Sequence, residues 1–286
     1  MTGDILVFGR TGQVAQELGL LAPGAIYLGR DKADLKDPRG CAEQILSIRP
    51  RAVLNVAAYT AVDQAEAEEP EARIINGEAP AAMARAAAEL DIPFLHVSTD
   101  YVFDGTGGQA RSEMAATAPL GAYGRSKLMG EHGVENAGGN WAVLRTSWVF
   151  SSFGNNFVKT MLRLGSAKDE LGIVGDQIGG PTPAKDIAAA LLVMAEQMSV
   201  DPGKGGIYHF AGAPDASWAE FAQEIFAQAK LGCKIREIAT AEYPTPAVRP
   251  LNSRLDCGAI AQRFGIRRPD WREGLAEVLA RLEQIR

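Results

Sequence analysis

Short apolar runs alternate with helix-compatible stretches through the first half of this 286-residue chain, and nothing else in it constrains the fold as tightly. The runs cover residues 4–8, 25–28, 51–58, 93–97 and 141–145. Between them lie helical patterns at 38–48, at an acidic segment 66–71 leading into 74–76, at the Ala-rich 79–90, and from Tyr123 onward, after Pro119. Parallel strands need a crossover to connect them, and helices supply it while burying both sheet faces. Strand and helix in strict alternation therefore predict an α/β fold with a doubly wound, Rossmann-like parallel sheet. Ligands of such sheets gather at the carboxyl ends of the strands. Gly9, Ala57, Thr99 and Trp148 all fall at such ends.

The first run is followed by Gly9-Arg10-Thr11-Gly12-Gln13-Val14-Ala15, which opens a helix. Glycines there allow a tight turn and close backbone approach, and the helix amino end offers N–H groups to an anion, so the turn predicts a dinucleotide's diphosphate. The second strand ends at Gly29-Arg30-Asp31. An acid about 20 positions past the glycines suits the ribose diol of NAD, whereas Arg suits a 2′-phosphate. Both types are present; Arg10 and Arg30 favour NADPH and leave NADH open. Asp34 and Leu35 are expected near the adenine, and the small Ala57-Ala58 lets a cofactor pass close to the backbone, with Tyr59 the next candidate.

The chemistry is expected between residues 98 and 127. Ser98-Thr99-Asp100-Tyr101 follows the fourth run, and Tyr123 and Lys127 stand four apart at the start of a helix. That spacing puts both on one face. A free phenol has a pKa near ~10, and a neighbouring ammonium would bring it towards the working range. With Thr99 holding a carbonyl oxygen beside the phenol, the set is that of a carbonyl reductase.

Past residue 150 the elements shorten and Gly/Pro-rich loops intervene, among them 176–183 and 243–250. Helices are expected up to 164, over 184–198, over 218–231 with Ser217 as cap, and from Trp271, and short strands over 172–174 and 206–210. This predicts two parts: residues 1–150 with roughly 178–200 for the dinucleotide, and 151–177 with 201–286 as a smaller substrate-binding domain. A net charge of −6 argues against a nucleic-acid partner. No run reaches the ~18 apolar residues of a membrane span, and no amino-terminal leader pattern is present, so a cytoplasmic protein is expected. Cys41, Cys233 and Cys257 have no metal-ligand spacing and read as thiols in a reducing compartment. His96 reads as a core residue, His132 and His209 as lacking partners, and Asp63, Glu66 and Glu68 as a solvated helix face.

The strings GRTGQVAQEL, NVAAYTAVDQAEAE, STDYVFDG, YGRSKLMGE, LRTSWVF, GNNFVKTML, DQIGGPT, GIYHFAG and YPTPAVRPLNSRLD, in this order from residue 9 to 256, resemble the dTDP-4-dehydrorhamnose reductase family of extended short-chain dehydrogenase/reductases. The resemblance implies a catalytic Thr99, Tyr123 and Lys127. It implies cofactor contacts from Gly9, Thr11, Gly12, Gln13, Val14, Arg30, Asp34, Ala57, Ala58 and Lys127, and Arg10, Leu35, Tyr59 and Tyr123 are expected beside them. It implies substrate contacts from Tyr101, Trp148, Asn156 and Arg249, the last near a diphosphate, and Thr99 and Asp100 are expected beside them. The implied reaction is hydride transfer to C4 of a dTDP-linked 4-keto-6-deoxyhexose. Ala15 and Phe150 depart from the family's usual Gly and Tyr. Some relatives carry Mg²⁺ at a dimer contact; no metal is expected here, and a homodimer stays open. A dehydratase or epimerase of the superfamily is the rival enzyme, although Tyr101 stands where dehydratases carry Glu. A non-catalytic partner like the regulatory subunit of methionine adenosyltransferase is the other alternative.

Overall fold

The computed structural model describes residues 5–285; Asp4, where the sequence starts the first strand, lies outside them. In order come β1 (Ile5–Phe8), α1 (Gln13–Leu21), β2 (Ile26–Leu28), α2 (Pro38–Ile48), β3 (Ala52–Asn55), α3 (Val62–Ala65), α4 (Glu69–Arg73), a π-turn at Ile74–Glu78, α5 (Ala79–Glu89), β4 (Phe94–Thr99), α6 (Ala122–Ala137) and β5 (Trp141–Thr146). Their strands form a six-stranded sheet with Gly206–His209, in the order Gly206–His209, β5, β4, β3, β1, β2. Every pairing in it is parallel. The chain steps from β1 to β2 on one side and returns to β3 on the other, so the order reverses at β1 and a crevice opens beyond its carboxyl end. The sixth strand comes from a segment the sequence assigns to the smaller part.

Alternate strand residues feed two apolar layers, as a two-residue period requires. Val7, Leu54, Leu95 and Leu144 face α1 and the helix Ala184–Val200. Leu6, Phe8, Val53, Phe94 and Val143 face the α2, α5 and α6 side chains Ile45, Met83 and Val134. Each such side chain, fully buried, contributes about 1.5–3 kcal/mol. Ala residues dominate the buried face of α5, which brings that helix close to the sheet.

Three details depart from the sequence reading. The third strand stops at Asn55 instead of Ala58, because the Asn55 side chain accepts from Ala57 N at 3.3 Å and takes that N–H out of the ladder. The acidic segment and the Ala-rich helix are joined by a π-turn, which buries Asn76. A strand at Lys234–Ile238 and a helix at Gly258–Phe264 were not expected: the first is largely exposed and charged, and the second buries only Ile260 and Phe264. The strand pairs in parallel with Glu170–Val174, and a third apolar cluster around Phe150, Phe221, Phe226 and Trp271 lies beside it. Ser217 does cap its helix, in a reciprocal arrangement with Glu220. Among the described residues no helix is long and apolar enough to cross a membrane.

Candidate active site

The glycine turn leaves β1 at the reversal point. Gly9 has φ +121°, a conformation L side chains rarely adopt, and a Cβ there would sit 3.2 Å from the Val56 side chain and 3.4 Å from Ala57 N. Gly12 precedes α1 with no side-chain cap, and a Cβ on it would meet nothing within 4 Å. The first N–H groups of α1 and the positive end of its dipole thus face open space bounded by backbone, which fits a diphosphate. Arg10, Thr11, Gly12 and Arg30 are exposed, and Gly9, Gln13, Asp34, Ala57, Ala58 and Tyr59 partly so. Arg10 lies along Gly29, so the two arginines flank the ends of β1 and β2. Val14 and Leu35 are core residues on opposite sides of the sheet, leaving only backbone for a ligand. Asp34 accepts from Lys36 N at 3.0 Å.

Thr99 ends β4 and Tyr123 lies in the first turn of α6, near enough for Thr99 to act on the phenol. Thr99 Oγ1 also donates to Asp100 Oδ1 at 3.1 Å and accepts from Tyr101 N at 3.2 Å. Burial pushes the Tyr123 phenol above its ordinary value; the Thr99 side chain pulls it down, while Asp100 and Tyr101 add to the rise. The lowering expected from Lys127 is not what the structure gives. Lys127 is 1% exposed, and its Nζ is held against β4, donating to the Val97 carbonyl at 2.7 Å and meeting His96 Nε2 at 3.1 Å. Burial brings the Lys127 amine down to about 7, with Glu131 pulling the other way.

Around these groups runs a buried polar network that residue spacing did not reveal. His96 is a core residue, as expected, but Asn55 Nδ2 lies 3.1 Å from its Nδ1, because Asn55 and His96 are register partners on β3 and β4. Glu131, one turn past Lys127, forms a bidentate pair with Arg145 on β5 and accepts from Ser98 Oγ. Arg145 Nη1 lies 3.3 Å from His209 Nε2, so His209 has partners after all. Asn76 bonds both backbone groups of Tyr59 and donates to Ser126 Oγ, tying the Ala57–Tyr59 loop to α6.

On the other side of the crevice, the Tyr101 and Tyr123 rings meet edge to face at 5.5 Å. Burial pushes Asp100 up to about 6 and Tyr101 up to about 12. Trp148 has φ +48° and stacks on Trp218 at 3.6 Å. Asn156 caps the helix Phe157–Gly165 by accepting from Lys159 N, and its amide donates to Gln13 Oε1, so its side chain is engaged within the chain. Arg249 donates to Asp63 at 2.8 Å, while its Nη1 is buried with no hydrogen-bond partner among the described residues. Glu66 is exposed and Asp63 and Glu68 partly so, as a solvated face implies, yet each carboxylate is also engaged within the chain. Asp63 holds Arg249, Glu66 accepts from Ala122 N at 2.8 Å, and Glu68 accepts from the Tyr59 phenol at 2.7 Å.

Residues 2–284 match the profile of the family described as RmlD substrate binding domain. A relative from Sinorhizobium fredii named dTDP-4-dehydrorhamnose reductase is 45% identical, over 94% of this chain and 94% of its own. The crystal structure of a dTDP-4-dehydrorhamnose reductase from Clostridium acetobutylicum superposes with a TM-score of 0.91 at 33% identity, covering 98% of this chain and 99% of that one. That of a Bacillus anthracis enzyme of the same name, in complex with NADP, gives 0.89 at 32%, covering 97% and 98%.

Proposed function

The chain belongs to the RmlD substrate binding domain family, and from that premise we propose that it reduces the C4 keto group of dTDP-4-dehydro-L-rhamnose to give dTDP-L-rhamnose, with NADPH as reductant. The observation that carries this reading is the placement of Thr99 at the carboxyl end of β4 beside Tyr123 in the first turn of α6, two strands from the glycine turn. When bound, NADPH supplies the hydride.

Thr99 orients the substrate's carbonyl oxygen, and Tyr123 gives its proton to that oxygen as negative charge develops there. A phenol held above its ordinary value is protonated at neutral pH, which is the form that reduction consumes. Lys127 holds the nicotinamide ribose. Gly9, Thr11, Gly12 and Gln13 receive the diphosphate, and Arg10 with Arg30 selects the 2′-phosphate, which favours NADPH over NADH. Arg249 takes the sugar nucleotide's diphosphate, supported by its unpartnered buried Nη1, and Tyr101 and Trp148 border the sugar.

Residues 1–150 with roughly 178–200, joined in the sheet by Gly206–His209, serve the dinucleotide, and 151–177 with the rest of 201–286 serve the sugar nucleotide. Three free cysteines, two of them buried, suit a cytoplasmic enzyme. The test is absorbance at 340 nm with dTDP-4-dehydro-L-rhamnose and each nicotinamide in turn. One NADPH consumed per sugar reduced is expected, with NADH slower; no oxidation of either overturns the reading.

A further inference from the structure

The segment 243–250 carries Arg249 to the site with little apolar anchorage of its own. It is held near its ends, where Thr240 N donates to Asp176 at 2.9 Å and Asn252 N donates to the Gly105 carbonyl at 3.0 Å. Of residues 243–250 only Ala247 and Pro250 are buried, and Tyr243 and Val248 are 60% and 62% exposed. Between the two ends Asp63 takes hold of the segment twice. Its Oδ1 accepts from Ala247 N at 3.2 Å, and its Oδ2 accepts from Arg249 Nη2 at 2.8 Å. One carboxylate thus restrains both the backbone of the segment and a guanidinium whose own shape is rigid and flat.

That leaves Arg249 Nη1, buried and without a hydrogen-bond partner among the described residues. A charged donor shut away from water is costly until an acceptor completes it, and an anionic oxygen does so best. The guanidinium lies near enough to Tyr101 to draw that phenol down against burial, and the Tyr101 ring meets Tyr123 edge to face. Asp63 lies on α3, which follows the Ala57–Tyr59 loop on the dinucleotide side. We propose that Asp63 is a positioning residue for the sugar nucleotide: it docks the 243–250 segment on α3 so that Arg249 offers Nη1 to a phosphate oxygen. The inference rests on the reading of Arg249 as the diphosphate's partner. Two effects oppose each other at Asp63. Its charge repels a diphosphate, whereas its grip on the segment spares the ligand the entropy of ordering it. The Asp63 side chain is 41% exposed, so water and salt screen the repulsion, while the two contacts of the grip are direct. The grip prevails.

The test is calorimetric binding of dTDP in the presence of NADPH, with thymidine as the probe that lacks phosphate. Asp63→Ala should weaken dTDP binding by ~10-fold or more, the scale of one hydrogen bond to a charged group. Thymidine and NADPH should stay within ~2-fold of the parent, as independent contacts do. Asp63→Asn, whose amide offers one oxygen for two donors, should weaken dTDP as well. In an Arg249→Met background, Asp63→Ala should change dTDP binding by less than ~2-fold, a non-additivity that a merely structural role would not give. Unchanged or tighter dTDP binding in a folded Asp63→Ala or Asp63→Asn protein overturns the proposal. So do losses that add in the double variant, or thymidine weakened as much as dTDP. A parent that binds dTDP but oxidises no NADPH overturns the proposed reduction and leaves this inference standing; a parent that binds no dTDP overturns both.

Discussion

Replacing Glu131 by Gln should cost this protein about 3–5 kcal/mol of stability, because it strands a buried cation. The Arg145 and Glu131 side chains are 3% and 1% exposed, and the guanidinium grips the carboxylate at 2.6 Å through Nη2 and at 3.0 and 3.2 Å through Nε. At an effective dielectric of ~20, opposite charges this close attract by roughly 6 kcal/mol, set against a desolvation cost of several kcal/mol for each ion. Gln keeps the shape and one acceptor but turns an NH₂ donor towards Arg145 or Ser98. Arg145 stays where the Phe103 ring, 5.0 Å away, holds it, with its charge unmatched. Against a typical total of ~5–15 kcal/mol, a loss of this size is easily measured. Urea unfolding at pH 7.5 of the parent, Glu131→Gln, Arg145→Met and the double variant would give it. The double variant should lose less than the two singles together, by ~1–3 kcal/mol. A Glu131→Gln protein within 1 kcal/mol of the parent would refute the reasoning, since water or a rearranged Arg145 would then be satisfying the charge.

Tyr123→Phe should lower kcat at least ~10²-fold with the NADPH dissociation constant little changed, and steady-state kinetics with fluorescence titration would show it; retention of most of kcat removes Tyr123 as proton donor. Gly9→Ala should cost about 1–3 kcal/mol in thermal or urea unfolding and weaken NADPH binding, because φ +121° and the 3.2 Å approach to Val56 both oppose a Cβ. His209 is buried beside Arg145, which together bring it from 6.5 down to about 3. Below pH 6.5 the unfolded chain therefore binds a proton that the folded one refuses, so stability falls as pH drops, by about 1.4 kcal/mol per pH unit and roughly 2 kcal/mol by pH 5. His209→Gln should shrink the loss between pH 7 and pH 5 by that amount in urea midpoints; identical losses in both proteins would mean that His209 is not held neutral.

The sheet was legible because parallel strands buried on both faces leave continuous apolar runs, and helix 38–48 appears with the bounds its sequence suggests. The end of β3 was not legible, since it depends on one side chain taking one N–H: Asn55 capturing Ala57. Thr99, Tyr123 and the glycine turn could be found because their chemistry needs particular residue types at fixed local spacing. What that spacing could not supply was orientation. Tyr123 and Lys127 stand four apart on one helix, which suggested an ammonium working on a phenol, yet the lysine is drawn to His96, 31 residues away.

The same logic explains the acidic segment. A run containing Asp63, Glu66 and Glu68 looks like a solvated face when read alone, because local composition carries no record of what the fold delivers to it. The fold delivers Arg249 from 186 positions away, the amino end of α6, and the Tyr59 phenol. Gln13 and Asn156 meet across 143 positions in the same way, joining the glycine turn to the cap of the helix Phe157–Gly165. Trp148 shows how far such delivery reaches into the backbone. A bulky residue at φ +48° carries a cost of order 1–3 kcal/mol, and the stack on Trp218, 70 positions later, is the contact on hand to offset it. Local rules thus locate the reacting groups at the strand ends, while pairs far apart in sequence decide which protons those groups hold and where the crevice walls stand.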